Sequence, residues 1–137
     1  MNLVDQLLKA DVKKAKELET GVFQSKRLAK ILGTEEKTVP VQIREIRSRR
    51  VNDIIAYQFK NNGDFDRTRT YDAALMMCIE GCVEPDLTNK ELQTHFGCSD
   101  AKNLAETLFQ AEARAISDAI SALSGIDEDD SEEEVKN

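Results

Sequence analysis

Apolar residues near the start of the chain recur at helical spacing. Leu3, Leu7 and Leu8 fall on one side of a 3.6-residue helix over residues 2–17, and most other positions there are polar. A stripe this narrow buries little apolar surface. We therefore expect a short amphipathic helix that docks weakly on the rest of the chain or serves a partner. The pattern is broken at residues 19–21.

A period of two replaces the helical period in the stretch VPVQI. Val39, Val41 and Ile43 are all β-branched, and they alternate with Pro40 and with polar residues. Proline cannot donate a ladder hydrogen bond, so this strand should be an edge strand or an irregular one. Its expected pairing partner is the segment 22–24.

Helical spacing governs most of the remaining chain. Gly33 and Gly97 stand where helix C-terminal caps belong, and Asn89 and Asp100 are good N-caps. The predicted helices are a short one ending at Gly33, one from Ser48 to about Phe59, a longer one from about Tyr71 to Gly81, and three over 89–96, 100–109 and 111–124. The pattern predicts a mainly α, small single-domain helical protein with a short two-stranded β element near residues 22–44, and it leaves an α+β description open.

The net charge of -7 is distributed unevenly along the chain. Residues 1–70 carry 15 Lys and Arg against 10 Asp and Glu, whereas residues 71–137 carry 4 against 16. This asymmetry fits a solvated acidic face, or two surfaces suited to different partners. Seven of the eight positions in 127–134 are acidic. We expect a single domain over 1–125 and a disordered acidic tail over 126–137, because such a run cannot bury apolar area.

The composition argues against catalysis and against a membrane span. The chain has one His, and the sequence contains neither a Gly-rich phosphate loop nor a Gly-flanked Ser or Cys beside a base. No apolar run approaches the ~20 residues that span a bilayer. An odd number of cysteines without a signal peptide is typical of reduced thiols in a cytoplasm. We expect a protein that is not an enzyme and needs no cofactor.

Residues 26–50 also carry features of a DNA-binding helix-turn-helix. A basic helical stretch is followed by a turn and then by the basic run Arg47-Ser48-Arg49-Arg50, which resembles a set of phosphate contacts. Pro40 would then lie inside the recognition helix, where proline costs ~3 kcal/mol or more. The strand explains the same residues without this penalty. A DNA-binding regulator using residues 26–50 is the alternative function.

All three cysteines and the histidine fall within one 21-residue stretch. Cys78, Cys82, His95 and Cys98 have the spacing C-x3-C-x12-H-x2-C, which is close to a structural zinc site. Cys78, however, continues the apolar stripe of its predicted helix, and buried thiols commonly behave as small hydrophobic groups. We expect no metal ligands among these residues.

One segment resembles a known family. The stretch IEGCVEPDL at 79–87, followed by NKEL at 89–92 and HFG at 95–97, is similar to the XkdN-like phage tail assembly chaperones. The likeness extends to NLVDQLL at 2–8, KRL at 26–28, VQIR at 41–44 and LSG at 123–125. The run Arg47–Arg50 departs from the family pattern, in which a more acidic helix start is familiar.

The resemblance implies a role in assembly rather than in catalysis. Such chaperones bind the aggregation-prone tape measure protein, promote tail tube assembly around it, and are absent from the finished particle. No catalytic or metal-binding residues come with the family. The implied location is the cytoplasm of a bacterial host carrying a phage or prophage.

The expected partner-binding residues are the leucines of the first helix and the basic run. The tape measure protein is the expected partner, and the tail tube protein and a second copy of the chain are further candidates. We expect neither a membrane nor a nucleic acid as partner. The predicted binding residues are Leu3, Leu7, Leu8, Arg47, Arg49 and Arg50.

Overall fold

The computed structural model describes residues 2–126, and its secondary structure confirms the mainly α fold class with a small β element. The order of elements in this part of the chain is α1 (Leu3–Leu8), α2 (Val12–Lys16), β1 (Thr20–Ser25), α3 (Lys26–Leu32), β2 (Val39–Arg44), α4 (Ser48–Tyr57), a 3-10 turn (Arg67–Arg69), α5 (Thr70–Gly81), β3 (Cys82–Glu84), α6 (Lys90–His95), α7 (Ala101–Phe109) and α8 (Glu112–Leu123).

The sheet confirms the predicted strand pairing and adds a third strand. β2 pairs antiparallel with β1, with Val22 opposite Gln42 and Phe23 opposite Val41. β3 then pairs with β2 on its other side, so the order is β1-β2-β3. The proline-containing strand is therefore not an edge strand, but it is irregular, as the other alternative of the prediction has it, because its pairing with β3 shifts register between Gln42 and Ile43. Pro40 is tolerated in the middle strand because β3 reaches only Gln42 and Ile43, which leaves the start of β2 with one neighbour.

The predicted helix caps at Asn89, Asp100 and Gly33 are present, and Ser25 adds an N-cap that was not predicted. The side chains of Ser25, Asn89 and Asp100 accept hydrogen bonds from the backbone N–H groups of Leu28, Leu92 and Asn103, in each case three residues ahead. These bonds satisfy donors that a helix start leaves without an intrahelical partner. Gly33 ends α3 with φ 65°, a left-handed conformation that favours glycine.

Helix α5 packs against α8 at very short range, and a glycine makes this possible. A Cβ atom on Gly81 would lie only 2.5 Å from Cδ1 of Ile120. Both residues are buried, and Ile120 belongs to a core whose largest fully buried side chains also include Phe109, Leu75 and Leu104. The helix end that the sequence predicts at Gly81 is thus also the point where the two long helices meet.

Two capping interactions connect the start of α3 to the turn between α7 and α8. The Glu112 carboxylate accepts hydrogen bonds from the Ser25 hydroxyl at 2.6 Å and from the backbone N–H groups of Lys26 and Arg27 at 2.9 and 3.2 Å. A carboxylate at a helix N-terminus is favoured by the helix dipole.

The second interaction runs in the opposite direction. The Arg27 guanidinium donates to the backbone carbonyls of Leu108 and Thr107 at 3.0 and 2.9 Å, in the last turn of α7. The guanidinium thus donates to carbonyls at the helix end that receive no hydrogen bond from an N–H group of α7 itself. Between these contacts, Gln110 adopts φ 48° and ψ -128°, a strained conformation for a residue with a side chain. Each chain segment thus caps a helix of the other.

The helix-turn-helix interpretation of residues 26–50 was wrong. The segment forms helix α3, a loop and strand β2, so the position of a recognition helix is occupied by a strand within the sheet. Val41 and Ile43 of this strand are buried in the core. The alternation in VPVQI was the correct indication, and the DNA-binding alternative loses its structural basis.

The acidic tail predicted over 126–137 lies outside the described residues except for Ile126. Its disorder, and the boundary between domain and tail at 125, therefore stay predictions.

Replacing Glu112 by Ala should lower the free energy of unfolding by about 1–3 kcal/mol, because the hydroxyl of Ser25, a fully buried residue, loses its acceptor. Urea unfolding of the variant and of the parent chain measures the difference. The matched control is Glu106→Ala on the exposed side of α7, which should change the free energy by no more than about 0.5 kcal/mol. Equal effects of the two substitutions would show that the cap contributes nothing.

Candidate partner-binding surface

The first sixteen described residues form an exposed arm. In this N-terminal arm, defined as residues 2–17, α1 and α2 bury none of their residues. The predicted amphipathic helix over this range is in fact two short helices. The break falls before Asp11, whose side chain caps α2 by accepting from the Lys13 N–H at 2.9 Å. Asn2 caps α1 in the same way through the Asp5 N–H.

The three predicted leucines lie together on α1 and are largely exposed. The exposed fractions are 67% for Leu3, 63% for Leu7 and 79% for Leu8. Sequence analysis missed Val4 and Val12, which are 63% and 67% exposed and extend the apolar surface. For Val4 the available signal was its position four residues before Leu8, on the same side of α1. Single exposed apolar side chains are common on protein surfaces, but five large ones within sixteen residues are typical of an interaction site. This arm is therefore the strongest candidate for a binding surface.

Two hydrogen bonds between Glu19 and Glu45, one to a side chain and one between backbones, join the arm to the start of the sheet. The Glu19 N–H donates to the Glu45 carboxylate at 2.7 Å, and the Glu45 N–H donates to the Glu19 carbonyl at 2.7 Å. Leu18, the preceding residue, is half-buried. These contacts fix where the arm ends, and the large apolar side chains of the arm stay exposed within the described part of the chain.

The predicted basic run forms the first turn of α4. We call Arg47, Arg49 and Arg50 the basic turn. Arg50 is paired with Glu80 at 2.8 Å, whereas Arg47 and Arg49 are exposed and form no ion pair with residues 2–126. The three charges are therefore unequal, and the two unpaired ones are the better candidates for binding an acidic group.

A shallow groove connects the basic turn to the base of the arm. Its volume is about 290 Å³, and Leu18, Arg44, Arg47 and Arg50 are among the lining residues. The structure thus brings the end of the arm next to two of the predicted arginines. The leucines of α1 lie farther along the arm and are not part of this groove.

The cysteines and the histidine do not converge on one point. Cys78 is buried in the core, where its thiol contacts the Ala113 carbonyl at 3.5 Å, and Cys98 instead lies 3.5 Å from the Thr107 hydroxyl. His95 is exposed and packs edge-on against Phe96. Within residues 2–126 no three His, Cys, Asp or Glu side chains are grouped so that they could hold a metal ion. The cysteines act here as packing groups.

The segment that carries the family likeness is a structural junction. β3 leads through Pro85 to Asp86, whose carboxylate accepts from the Thr88 hydroxyl and backbone N–H at 2.7 and 2.9 Å. These bonds lower the pKa of Asp86. Leu87 is fully buried, and its carbonyl accepts from the buried Gln93 side chain at 2.9 Å. The motif orders the entry to α6 and contributes to the core.

A sequence model of the phage XkdN-like tail assembly chaperone proteins matches residues 4–136, nearly the whole chain. The chain belongs to this family. The expected resemblance is therefore confirmed, and the family indicates a tail assembly chaperone with a role other than catalysis.

Among solved structures, the crystal structure of the protein YqbN aligns with a TM-score of 0.54 at 16% sequence identity, and the alignment covers 81% of this chain and 90% of that chain. At this identity the likeness concerns the fold alone. A search of curated proteins gives no match. Among the helices of residues 2–126, none combines the length and the apolar character that crossing a bilayer requires.

The folded chaperone should expose one reactive thiol at most. The neighbouring Cys82 thiol and burial raise the pKa of Cys78 well above its usual range, so at neutral pH it stays protonated and unreactive. Iodoacetamide should therefore modify the half-buried Cys98 first, and Cys78 and Cys82 only after denaturation, as mass spectrometry of peptides would show. The urea-denatured chain, in which all three react, is the control. Rapid alkylation of Cys78 in the folded chain would refute the core assignment.

Proposed function

We propose that this tail assembly chaperone binds the tape measure protein and promotes tail tube assembly, acting in the host cytoplasm without catalysis or cofactor and leaving before the particle is complete. The observation that carries the proposal is the N-terminal arm, which presents five exposed apolar side chains on a family member whose role is assembly. The tail tube protein and a second copy of the chain remain further candidate partners.

The arm has the chemistry that a long helical or unfolded client requires. Leu3, Leu7 and Leu8 follow the i, i+4 and i+5 spacing that places apolar groups on one side of a helix. Burying one such side chain against a client contributes roughly 1.5–3 kcal/mol. A few of them therefore bind with useful strength, while the ordering of a client segment keeps the net affinity low enough for release.

The basic turn supplies a second contact of a different kind. Arg47 and Arg49 are exposed, and exposed charges accelerate association and select partners more than they add affinity. We propose that they meet acidic residues of the client beside the apolar contact made by the arm. The edge strand β1 offers a further position for strand addition.

A chain carrying Leu3→Ser, Leu7→Ser and Leu8→Ser should lose the client while keeping its fold. Co-expression with the tape measure protein of the same phage or prophage should yield less soluble tape measure protein and less of it on the tagged chaperone. Because the three leucines are 63–79% exposed and outside the core, the melting temperature of the variant should stay close to that of the parent.

The matched control is a chain with Ile31→Ser and Leu32→Ser, which replaces apolar residues of 39% and 67% exposure on α3, outside both the arm and β1. This control should retain the client. Undiminished recovery of tape measure protein with the arm variant would contradict the assignment of the arm. Recovery of the chain from purified virions in fixed stoichiometry would instead indicate a structural tail component.

A further inference from the structure

The sheet has two edges, and only one of them is protected against pairing with another strand. In the order β1-β2-β3, the strands β1 and β3 each have one neighbour. Proteins commonly protect such edges with short strands, charged side chains or proline. β3 spans only Cys82–Glu84, ends with a glutamate and is followed by Pro85. β1, in contrast, is six residues long, reads TGVFQS, and contains neither a charged residue nor a proline.

The hydrogen-bonding phase of the sheet shows which backbone groups of β1 point outward. In an antiparallel ladder, pairs of residues that exchange hydrogen bonds alternate with pairs whose N–H and C=O groups point away from each other. The Glu45 N–H donates to the Glu19 carbonyl, so the register places Thr20, Val22 and Gln24 in pairs of the second kind. None of the backbone hydrogen bonds that link residues 2–126 outside the helices and the sheet involves these three residues. Their N–H and C=O groups are available to another strand.

The same three residues form the solvent face of β1. Val22 is 55% exposed, and Thr20 and Gln24 are exposed as well. Phe23, on the other face of the strand, packs against the core. An added strand would therefore extend the sheet without disturbing the packing beneath it.

A second copy of β1 fits this edge in an antiparallel orientation. Outward-facing residues of one strand must meet outward-facing residues of the other for hydrogen bonds to form. A two-fold axis at Val22 meets this condition, because it places Val22 opposite Val22 and Thr20 opposite Gln24. Each such pair exchanges two hydrogen bonds. The contact is closed and symmetric, and it uses the unprotected edge of both copies.

The charges at the ends of β1 select the same orientation. Glu19 precedes the strand and Lys26 follows it, and both are exposed. Neither forms an ion pair within residues 2–126. With the axis at Val22, Glu19 of each copy lies opposite Ser25 and beside Lys26 of the other copy. A parallel arrangement would instead bring Glu19 next to Glu19 and Lys26 next to Lys26, and like charges on neighbouring strands repel.

We propose that two copies of the chain pair through the edges of β1, antiparallel about Val22, and form one continuous sheet. The two Thr20 residues, close to the ends of the two arms, are then four residues apart along the strands, or roughly 13 Å. Two arms presented to one client bind it more strongly than one arm does, because the second contact is intramolecular. This effect on the client rests on the proposed function, whereas the pairing itself does not.

Sedimentation of the full chain without a client tests the pairing. Because the contact is small, the parent chain should shift from the mass of one copy toward that of two over the micromolar to millimolar range. Val22→Pro should stay monomeric over this range, since proline removes an outward N–H group and places its ring at the edge. Val22→Thr keeps the N–H group and a β-branched side chain, so this matched control should associate like the parent. Thermal melting checks that both variants are folded.

A charge variant gives a test that does not depend on the folding of Val22→Pro. Glu19→Lys places lysines side by side at both ends of the paired strands and should weaken association several-fold at low salt. The difference from the parent should largely vanish at about 1 M salt, where the Debye length is about 3 Å. Glu106→Lys makes the same charge change at an exposed position of α7 and should leave association unchanged. Equal behaviour of the two lysine variants would contradict the antiparallel register.

Amide exchange followed by NMR locates the contact. In dilute solution the amides of Thr20, Val22 and Gln24 should exchange fast, whereas those of Gly21 and Phe23, which face β2, should exchange slowly. In concentrated solution the three outward amides should become protected as well.

Three results would overturn the proposal. One is a parent chain that stays monomeric up to millimolar concentration. Another is a dimer in which the three outward amides still exchange fast, which would assign the association to a different surface. The third is equal association of the parent and a folded Val22→Pro variant. Because no client is present, failure of the tape measure hypothesis leaves these results unaffected, and loss of client binding by the arm variant says nothing about β1.

Discussion

The contact between the Ser25–Arg27 segment and the α7–α8 turn is the constraint on which the rest of the structure depends. Glu112 caps the start of α3, and Arg27 caps the end of α7, so neither helix end is complete without the other segment. The contact joins residues 80 to 87 positions apart and connects the sheet to the helical layer. It is built from charged groups that bind backbone, which is worth more than a neutral hydrogen bond and is specific in direction.

The described chain consists of a packed body, to which this contact belongs, and an unpacked N-terminal arm. From β1 onward the chain contributes to one core, in which Gly81 lets α5 approach α8 and Leu87 closes the entry to α6. Residues 2–17 contribute nothing to it. A packed body with an exposed apolar arm suits a protein that holds a client briefly. Because the core does not hold the arm in place, part of the binding free energy is used to order the arm on the client, and this lowers the net affinity.

The sequence predicted the elements whose signals are local. The alternation in VPVQI predicted β2 and its pairing with β1, and Asn89, Asp100 and Gly33 marked helix ends, because a cap acts within one turn. β3 was not predicted, since three residues directly after a helix are too few for alternation to be recognised. The break between α1 and α2 at Asp11 was also missed, because the narrow stripe masks a change of helix.

The candidate site was predictable only in part, and for a physical reason. Exposure of Leu3, Leu7 and Leu8 follows from the narrowness of their stripe, but the pairing of Arg50 with Glu80 depends on tertiary structure. Likewise, nothing near Glu112 in the sequence indicates that it caps a helix 85 or more residues away. The spacing of the cysteines and the histidine suggested a metal site that the helical phase of Cys78 argued against, and the core position of this residue agrees with that argument.

Hydrogen–deuterium exchange of the chaperone, alone and with the tape measure protein, tests the central claim most directly. The account predicts fast exchange over residues 2–17 in the free chain and marked protection of the same residues in the complex, with the core from α5 to α8 unchanged. Protection confined to other surfaces, with the arm exchanging equally fast in both states, would contradict it.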